Sequence, residues 1–305
     1  MTDPLRELEQ RLAVVRDRVR GVARGQSTGF YLFGRPGTSK TYTVRTTLDE
    51  LGIPYEYHSG HITPLGLFDL LARYHDRVLV LDDVSEILAN RIALQILLAA
   101  LGNQPYATGA RIVKYRRQGR DETVRFTGGI ILISNLELHS TSLLAALKSR
   151  LHYLRHDPTD EQIASLMRQI ASRGRTTPKL SPTQCLEVAE FVISESRQLG
   201  CRLDIRLLVD KAIPDFAQHR SRNTETHWRD LVLATLEEQV LELRHTRGPA
   251  AARMAVKEDE QQIVRDIIAT CSTTADRLAA WQEQTQKSRR AFYRRLKEVG
   301  MAVTE

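Results

Sequence analysis

A chain of 305 residues, 42% hydrophobic and 27% charged, has room for two or three domains with a buried core and is too evenly mixed to be disordered or fibrous. No apolar run reaches the roughly eighteen residues a membrane span needs, the opening MTDPLRELEQ lacks a signal-peptide pattern, and three scattered cysteines (Cys185, Cys201, Cys271) form neither a disulfide framework nor a metal cluster, so a reducing cytoplasm is expected. The net charge of +7 leans mildly toward a polyanionic partner.

Leu5, Leu8, Leu12, Val15, Val19 and Val22 recur at helical spacing opposite an arginine-rich face, which predicts a surface helix packed on the core. GFYLF reads as a buried strand, TYTVRTTLDELG as a helix ending at Gly52, IPYEYHS as a strand and PLGLFDLLARYHD as a helix. RVLVLDD is a third strand, RIALQILLAALGN a helix, and ARIVKYRRQGRDETVRFTGG a β-hairpin. IILISN is another strand, and a helix from Ser142 to Arg150 leads into LHYLRHD. Apolar strands alternating with helices predict a parallel sheet covered on both faces. Beyond Pro158 the pattern is helical to about Arg244, then linker-like, and residues 260 to 300 hold two or three short helices.

FGRPGTSKTYT nearly fits the phosphate-loop pattern G-x-x-x-x-G-K-[ST], with Gly34 opening it and Lys40 and Thr41 closing it; Ser39 stands where glycine belongs. The stretch follows a strand and precedes a helix, as such a loop requires. The backbone N–H groups of such a loop point at phosphates, and Lys40 can then reach the β/γ oxygens while the Thr41 hydroxyl can ligate Mg²⁺. Ser39, at the helix start, is expected to take ordinary helical dihedrals. RVLVLDD ends in Asp82, placed to help hold magnesium, and Asp83, placed to orient or deprotonate the attacking water.

From residue 26 to about 216 the chain resembles the AAA+ ATPase family. GRPGTSKT (Gly34, Arg35, Pro36, Gly37, Thr38, Ser39, Lys40, Thr41) looks like its Walker A; some branches carry another small residue where Ser39 stands. VLVLDD resembles Walker B, with Asp83 where the family usually has glutamate, a departure that bears on hydrolysis rate more than on binding. IILISN resembles the sensor-1 strand, with Asn135 as its polar residue. LLAALKSRLHYLRHDPT is similar to the segment carrying the arginine finger, here Arg150, with Arg155 as competitor. CRLDIRLLVDKAIPDF resembles the sensor-2 helix, with Arg206 on the γ-phosphate or else paired with Asp204 or Asp210.

The resemblance implies an AAA+ P-loop α/β core with a parallel sheet, an α-helical lid, ATP and Mg²⁺ as cofactors, and a homo-oligomer, a ring or a filament, with a hexamer expected. Together with the composition of the remaining stretches, it divides the chain into an N-terminal helix (1–25), the α/β domain (26–157), the lid (158–244), a linker (245–259) and a C-terminal helix-turn-helix-like domain (260–305).

The hairpin precedes sensor 1, where several AAA+ branches project an insertion into a pore. It carries Arg111, Lys114, Arg116, Arg117, Arg120 and Arg125 against Asp121 and Glu122, suited to phosphate contacts or to acids on the next subunit. The last segment reads as helix, turn, helix, with Leu278, Trp281, Phe292 and Leu296 as its core. Its second helix, capped by Ser288, presents Arg289, Arg290 and Arg294 and resembles a helix-turn-helix DNA-binding module. These features point to an AAA+ ATPase acting on DNA in replication, helicase or mobile-element work. The alternatives are a MoxR-like protein-remodelling chaperone and a nucleotide-dependent switch with weak hydrolysis.

Overall fold

The computed structural model describes residues 3–83, 85–102, 109–117, 119–138, 142–246, 263–264, 267–268, 271, 273–285 and 287–298. The chain forms two compact units, Met1–Leu233 and Ala234–Glu305. Helix α1 (Pro4–Ala23) opens the first unit, its N-terminus capped by the Asp3 carboxylate on Leu5 N–H. Then follow β1 (Gly29–Phe33), α2 (Lys40–Leu51), β2 (Tyr55–Ser59), α3 (Pro64–Arg73) and β3 (Val78–Asp82). After α4 (Ser85–Ala89) and α5 (Arg91–Ala100) come the hairpin strands β4 (Arg111–Arg117) and β5 (Arg120–Phe126), then β6 (Ile130–Ser134), α6 (Ser142–Lys148) and β7 (His152–Arg155).

Five strands form one parallel sheet in the order β2-β3-β6-β1-β7. Alternate residues of each strand enter opposite layers. Tyr31, Phe33, Leu79, Leu81, Ile130 and Leu132 meet α3, α5, α6 and the hairpin. Phe30, Leu32, Val78, Val80, Ile131 and Ile133 meet α1 through Val15, Val19 and Val22, and α2 through Val44 and Leu48. Burial on both faces explains why the central strands β1, β3 and β6 read as unbroken apolar runs. Parallel pairing puts all the strand exits along one edge. Phe33, Asp82, Ser134 and Arg155 are the strands' last residues, so their carboxyl ends open onto a common crevice, where ligands of α/β sheets bind.

The helical segment holds α7 (Asp160–Ala171), α8 (Pro182–Gln198), α9 (Ile213–Arg220) and α10 (Trp228–Thr246). Thr159 with Gln162 and Ser181 with Gln184 form reciprocal capping boxes that set the starts of α7 and α8. Ahead of α9, residues Leu207–Ala212 wind as a π-helix. Pro214 lacks the N–H that would continue an α-ladder there, and the widened turn accommodates it. Ile213 N–H bonds back to Leu208 O, and the Arg175 guanidinium donates to Val209 O at 2.9 Å.

In the second unit, Trp281, Phe292 and Leu296 are buried and Leu278 partly so, as their spacing predicts, and Val264 and Ile267 complete the cluster. Its helices span Thr274–Thr285 and Arg289–Glu298, the latter starting after Ser288. The linker expected over 245–259 lies, from residue 247, outside the described residues. Among the described residues no helix is long and apolar enough to cross a membrane, and Cys185, Cys201 and Cys271 form no disulfide.

Candidate active site

The chain leaves β1 at Phe33 and enters α2 at Lys40 through a tight loop over the crevice. Gly34 (φ 153°) lies against the next strand's exit, where a Cβ would sit 1.9 Å from His156 O. Gly37 (φ 68°) touches the helical segment, and its Cβ would fall 1.7 Å from Asp204 Oδ1. Ser39 departs from expectation. It adopts the left-handed conformation (φ 68°, ψ 12°), not ordinary helical dihedrals, so this position uses the geometry glycine supplies freely and serine adopts at a cost of about 1–2 kcal/mol. Its hydroxyl oxygen is buried and has no hydrogen-bond partner.

The Lys40 ammonium is buried and spends its three donors within the protein, on Gly34 O (2.7 Å), Arg35 O (2.7 Å) and Asn135 Oδ1 (3.1 Å). Burial pulls its pKa down to about 8; the Asp82 carboxylate opposes this, and the Arg206 charge adds to the depression. Asp82 Oδ2 accepts from the Thr41 hydroxyl at 2.7 Å and from the Tyr57 hydroxyl at 2.9 Å, while Oδ1 accepts from Asp83 N–H at 3.0 Å. Asp83 is also left-handed (φ 56°), and its Oδ1 lies 3.5 Å from Asn135 Nδ2. Lys40, Thr41, Asp82, Asp83 and Asn135, drawn from three separate sequence motifs, therefore form one bonded cluster.

Beneath and beside the loop stand side chains whose partners no sequence motif foretells. His156 is buried, with Nε2 donating to Thr38 O at 3.0 Å, and its N–H continues the β1–β7 ladder onto Phe33 O. Burial holds its pKa below the ordinary value against the Thr38 carbonyl, and the Lys40 and Arg11 charges push the same way, so the imidazole is neutral at pH 7. Arg35, mostly shielded, donates to Asp160 Oδ1 (2.9 Å) and Pro158 O (2.8 Å), with Asp157 at 3.5 Å. Asp160 also accepts from Leu203 N–H and pairs with Arg202, and Ile205 N–H donates to Gly37 O at 3.0 Å. The loop is thus tied to the segment that carries Arg206. Arg206 itself is exposed and, among the described residues, ion-pairs with neither Asp204 nor Asp210.

Because the folded state resists protonating His156, the unfolded chain binds more protons as pH falls below the ordinary value of 6.5, and stability drops there. His156→Gln keeps a neutral N–H donor for Thr38 O and removes the titration. Denaturant unfolding at pH 5.5 and 7.5 should show a smaller acid-induced loss in the variant; equal losses would remove His156 as the source.

Arg150 lies at the far edge of the sheet. Its carbonyl accepts from Thr28 Oγ1, just ahead of β1, and its guanidinium donates to Ala146 O at 2.9 Å. The length of β1, about 17 Å at strand rise, separates Thr28 from the loop. Arg155, at the loop's own edge, pairs with Glu137 at 2.5 Å and stacks over Phe33 at 5.4 Å.

The hairpin corrects one expectation. Arg111 is buried, its guanidinium donating to Gly128 O and lying 5.1 Å over the Phe126 ring, so it is a structural residue and is withdrawn as a DNA contact. Strand alternation places Arg111, Val113 and Tyr115 inward and Lys114 and Arg116 outward beside Arg125. The Arg116–Asp121 pair, 3.9 Å apart with both groups about three-quarters exposed (77% and 76%), neutralises little. The side chains of Arg117 and Arg120 lie outside what the structure describes. On the last helix Arg289, Arg290 and Arg294 are exposed, while Arg295 folds onto Glu298 at 3.2 Å.

No protein-family model matches the sequence, and no curated protein matches it significantly. Among solved structures, two mutants of RuvB from Thermotoga maritima align with 98% of this chain and 95% of theirs, at 15% and 16% identity and a TM-score of 0.45 each.

Proposed function

We propose that this chain is an AAA+ type ATPase that binds Mg²⁺·ATP in the loop Gly34–Thr41, completes its site with a neighbouring copy in a hexamer, and acts on DNA. The observation that carries this reading is the bonded cluster at the sheet's carboxyl edge, in which Thr41 meets Asp82 and Lys40 meets Asn135. The residues fit the missing groups. Thr41 and Asp82 offer the oxygen donors that suit magnesium, and the unpartnered Ser39 hydroxyl lies in the loop that would cradle phosphate. Magnesium, when bound, neutralises charge on the β- and γ-oxygens. Lys40 exchanges its three protein acceptors for phosphate oxygens, Asn135 orients the attacking water, and Asp83 takes its proton. Arg206 reaches the γ-phosphate from residues 158–244, which serve as the lid. Arg150, a strand's length from its own loop, serves the neighbour's.

Tyr57 orients the metal-holding carboxylate. Tyr57→Phe removes one of the two hydroxyl donors to Asp82 Oδ2 and should raise the Mg²⁺ concentration needed for half-maximal ATP binding by about tenfold. Magnesium titration of ATP-induced thermal stabilisation reads this directly; an unshifted midpoint contradicts it.

DNA is assigned to the outward hairpin cations Lys114 and Arg116, to Arg117, and to the exposed Arg289, Arg290 and Arg294. Replacing the last three with alanine should weaken duplex binding and lower the slope of log affinity against log salt by about one per cation. An unchanged slope would favour the protein-remodelling alternative. A second reading, a switch with slow hydrolysis, is favoured by the short Asp83 side chain, 3.5 Å from Asn135.

A further inference from the structure

Ser39 combines two features that glycine would avoid at this position. Its backbone is left-handed (φ 68°), a conformation disfavoured by any Cβ, and its Oγ is buried without a partner. The hydroxyls and the ammonium beside it in the loop are satisfied, and besides Ser39 Oγ only Arg35 Nε is left without a hydrogen bond among the loop's described side chains. The Thr38 hydroxyl donates to Arg35 O at 3.0 Å, the Thr41 hydroxyl to Asp82, and the Lys40 ammonium to three oxygens. Strain and an orphaned polar atom on one residue of a binding loop are the signature of a group whose partner is the ligand.

We infer that the Ser39 side-chain hydroxyl is itself a phosphate ligand, donating a hydrogen bond to a bound nucleoside triphosphate that the usual glycine loop lacks. The inference rests on the proposed nucleotide site and deepens it. Serine then exchanges stability of the empty loop for affinity toward the filled one. The neighbouring loop contacts would be the same with glycine at position 39; what changes is one donor and the strain that accompanies it.

The test uses the full-length chain with ATP and Mg²⁺, comparing wild type with Ser39→Gly and Ser39→Ala. Ser39→Gly should raise the melting temperature of the nucleotide-free protein by about 2–4 °C, since it relieves the left-handed strain and removes the orphaned hydroxyl. It should also weaken ATP binding by about tenfold, the worth of a hydrogen bond to a charged acceptor. Ser39→Ala, which keeps the Cβ and loses only the hydroxyl, should weaken binding by a similar factor. Either variant binding ATP as tightly as wild type would overturn the assignment of the hydroxyl. Wild type failing to bind ATP is read independently of the variants and would overturn the nucleotide site, and this inference with it.

Discussion

Replacing Arg150 by alanine is expected to lower ATP turnover by about 10³–10⁵-fold while leaving ATP affinity nearly unchanged. The expectation follows from position. Arg150 ends the α6 region with its carbonyl on Thr28 Oγ1, so β1 separates it from the loop of its own chain. A cation there contributes to phosphate chemistry only in an assembled neighbour's site. Arg155 stands at the correct edge to act within its own chain, but its guanidinium is held by Glu137 and by the Phe33 ring. Mixing provides the sharper readout. On the proposed reading, Lys40→Ala subunits keep a working finger and lose the site, and Arg150→Ala subunits keep the site and lose the finger. Combined, they should recover part of the turnover that each lacks alone. No recovery, or normal turnover in Arg150→Ala, would remove Arg150 from the mechanism.

Asp83→Asn is expected to lower turnover by about 10²–10⁴-fold with ATP binding retained. Asparagine tolerates the left-handed backbone (φ 56°) at least as well as aspartate, so the substitution removes the proposed base and leaves the turn intact. The Asp83 N–H bonds to Ile133 O and Asp82 Oδ1 do not involve the substituted carboxylate. Single-turnover hydrolysis measures the chemical step free of product release. Wild-type turnover in Asp83→Asn would show that this carboxylate is not the base, and the switch reading would then take precedence.

The three central strands were legible in the sequence because both of their faces are buried. GFYLF, VLVLD and IILIS are apolar throughout, and only strands covered on two sides read that way. The loop was legible by spacing and the C-terminal core by helical periodicity. Tertiary partners were not. Tyr57 meets Asp82 across 25 residues, His156 meets Thr38 across 118, and Arg35 meets Asp160 across 125, distances over which no local pattern operates. The left-handed turn at Ser39 escaped because a non-glycine residue seldom adopts it, and the turn's shape is set by the loop rather than by the residue. Arg111 was legible after all. With Val113 and Tyr115 facing the core, strand alternation turns Arg111 inward and Lys114 and Arg116 outward.

The most direct test is phosphate release from ATP by the full-length chain with Mg²⁺, measured with and without duplex DNA and beside Lys40→Ala. Turnover that rises with DNA and is lost in Lys40→Ala is the predicted result. No release from wild type under either condition, or release indifferent to Lys40, would contradict the assignment of this crevice as an ATP-hydrolysing site.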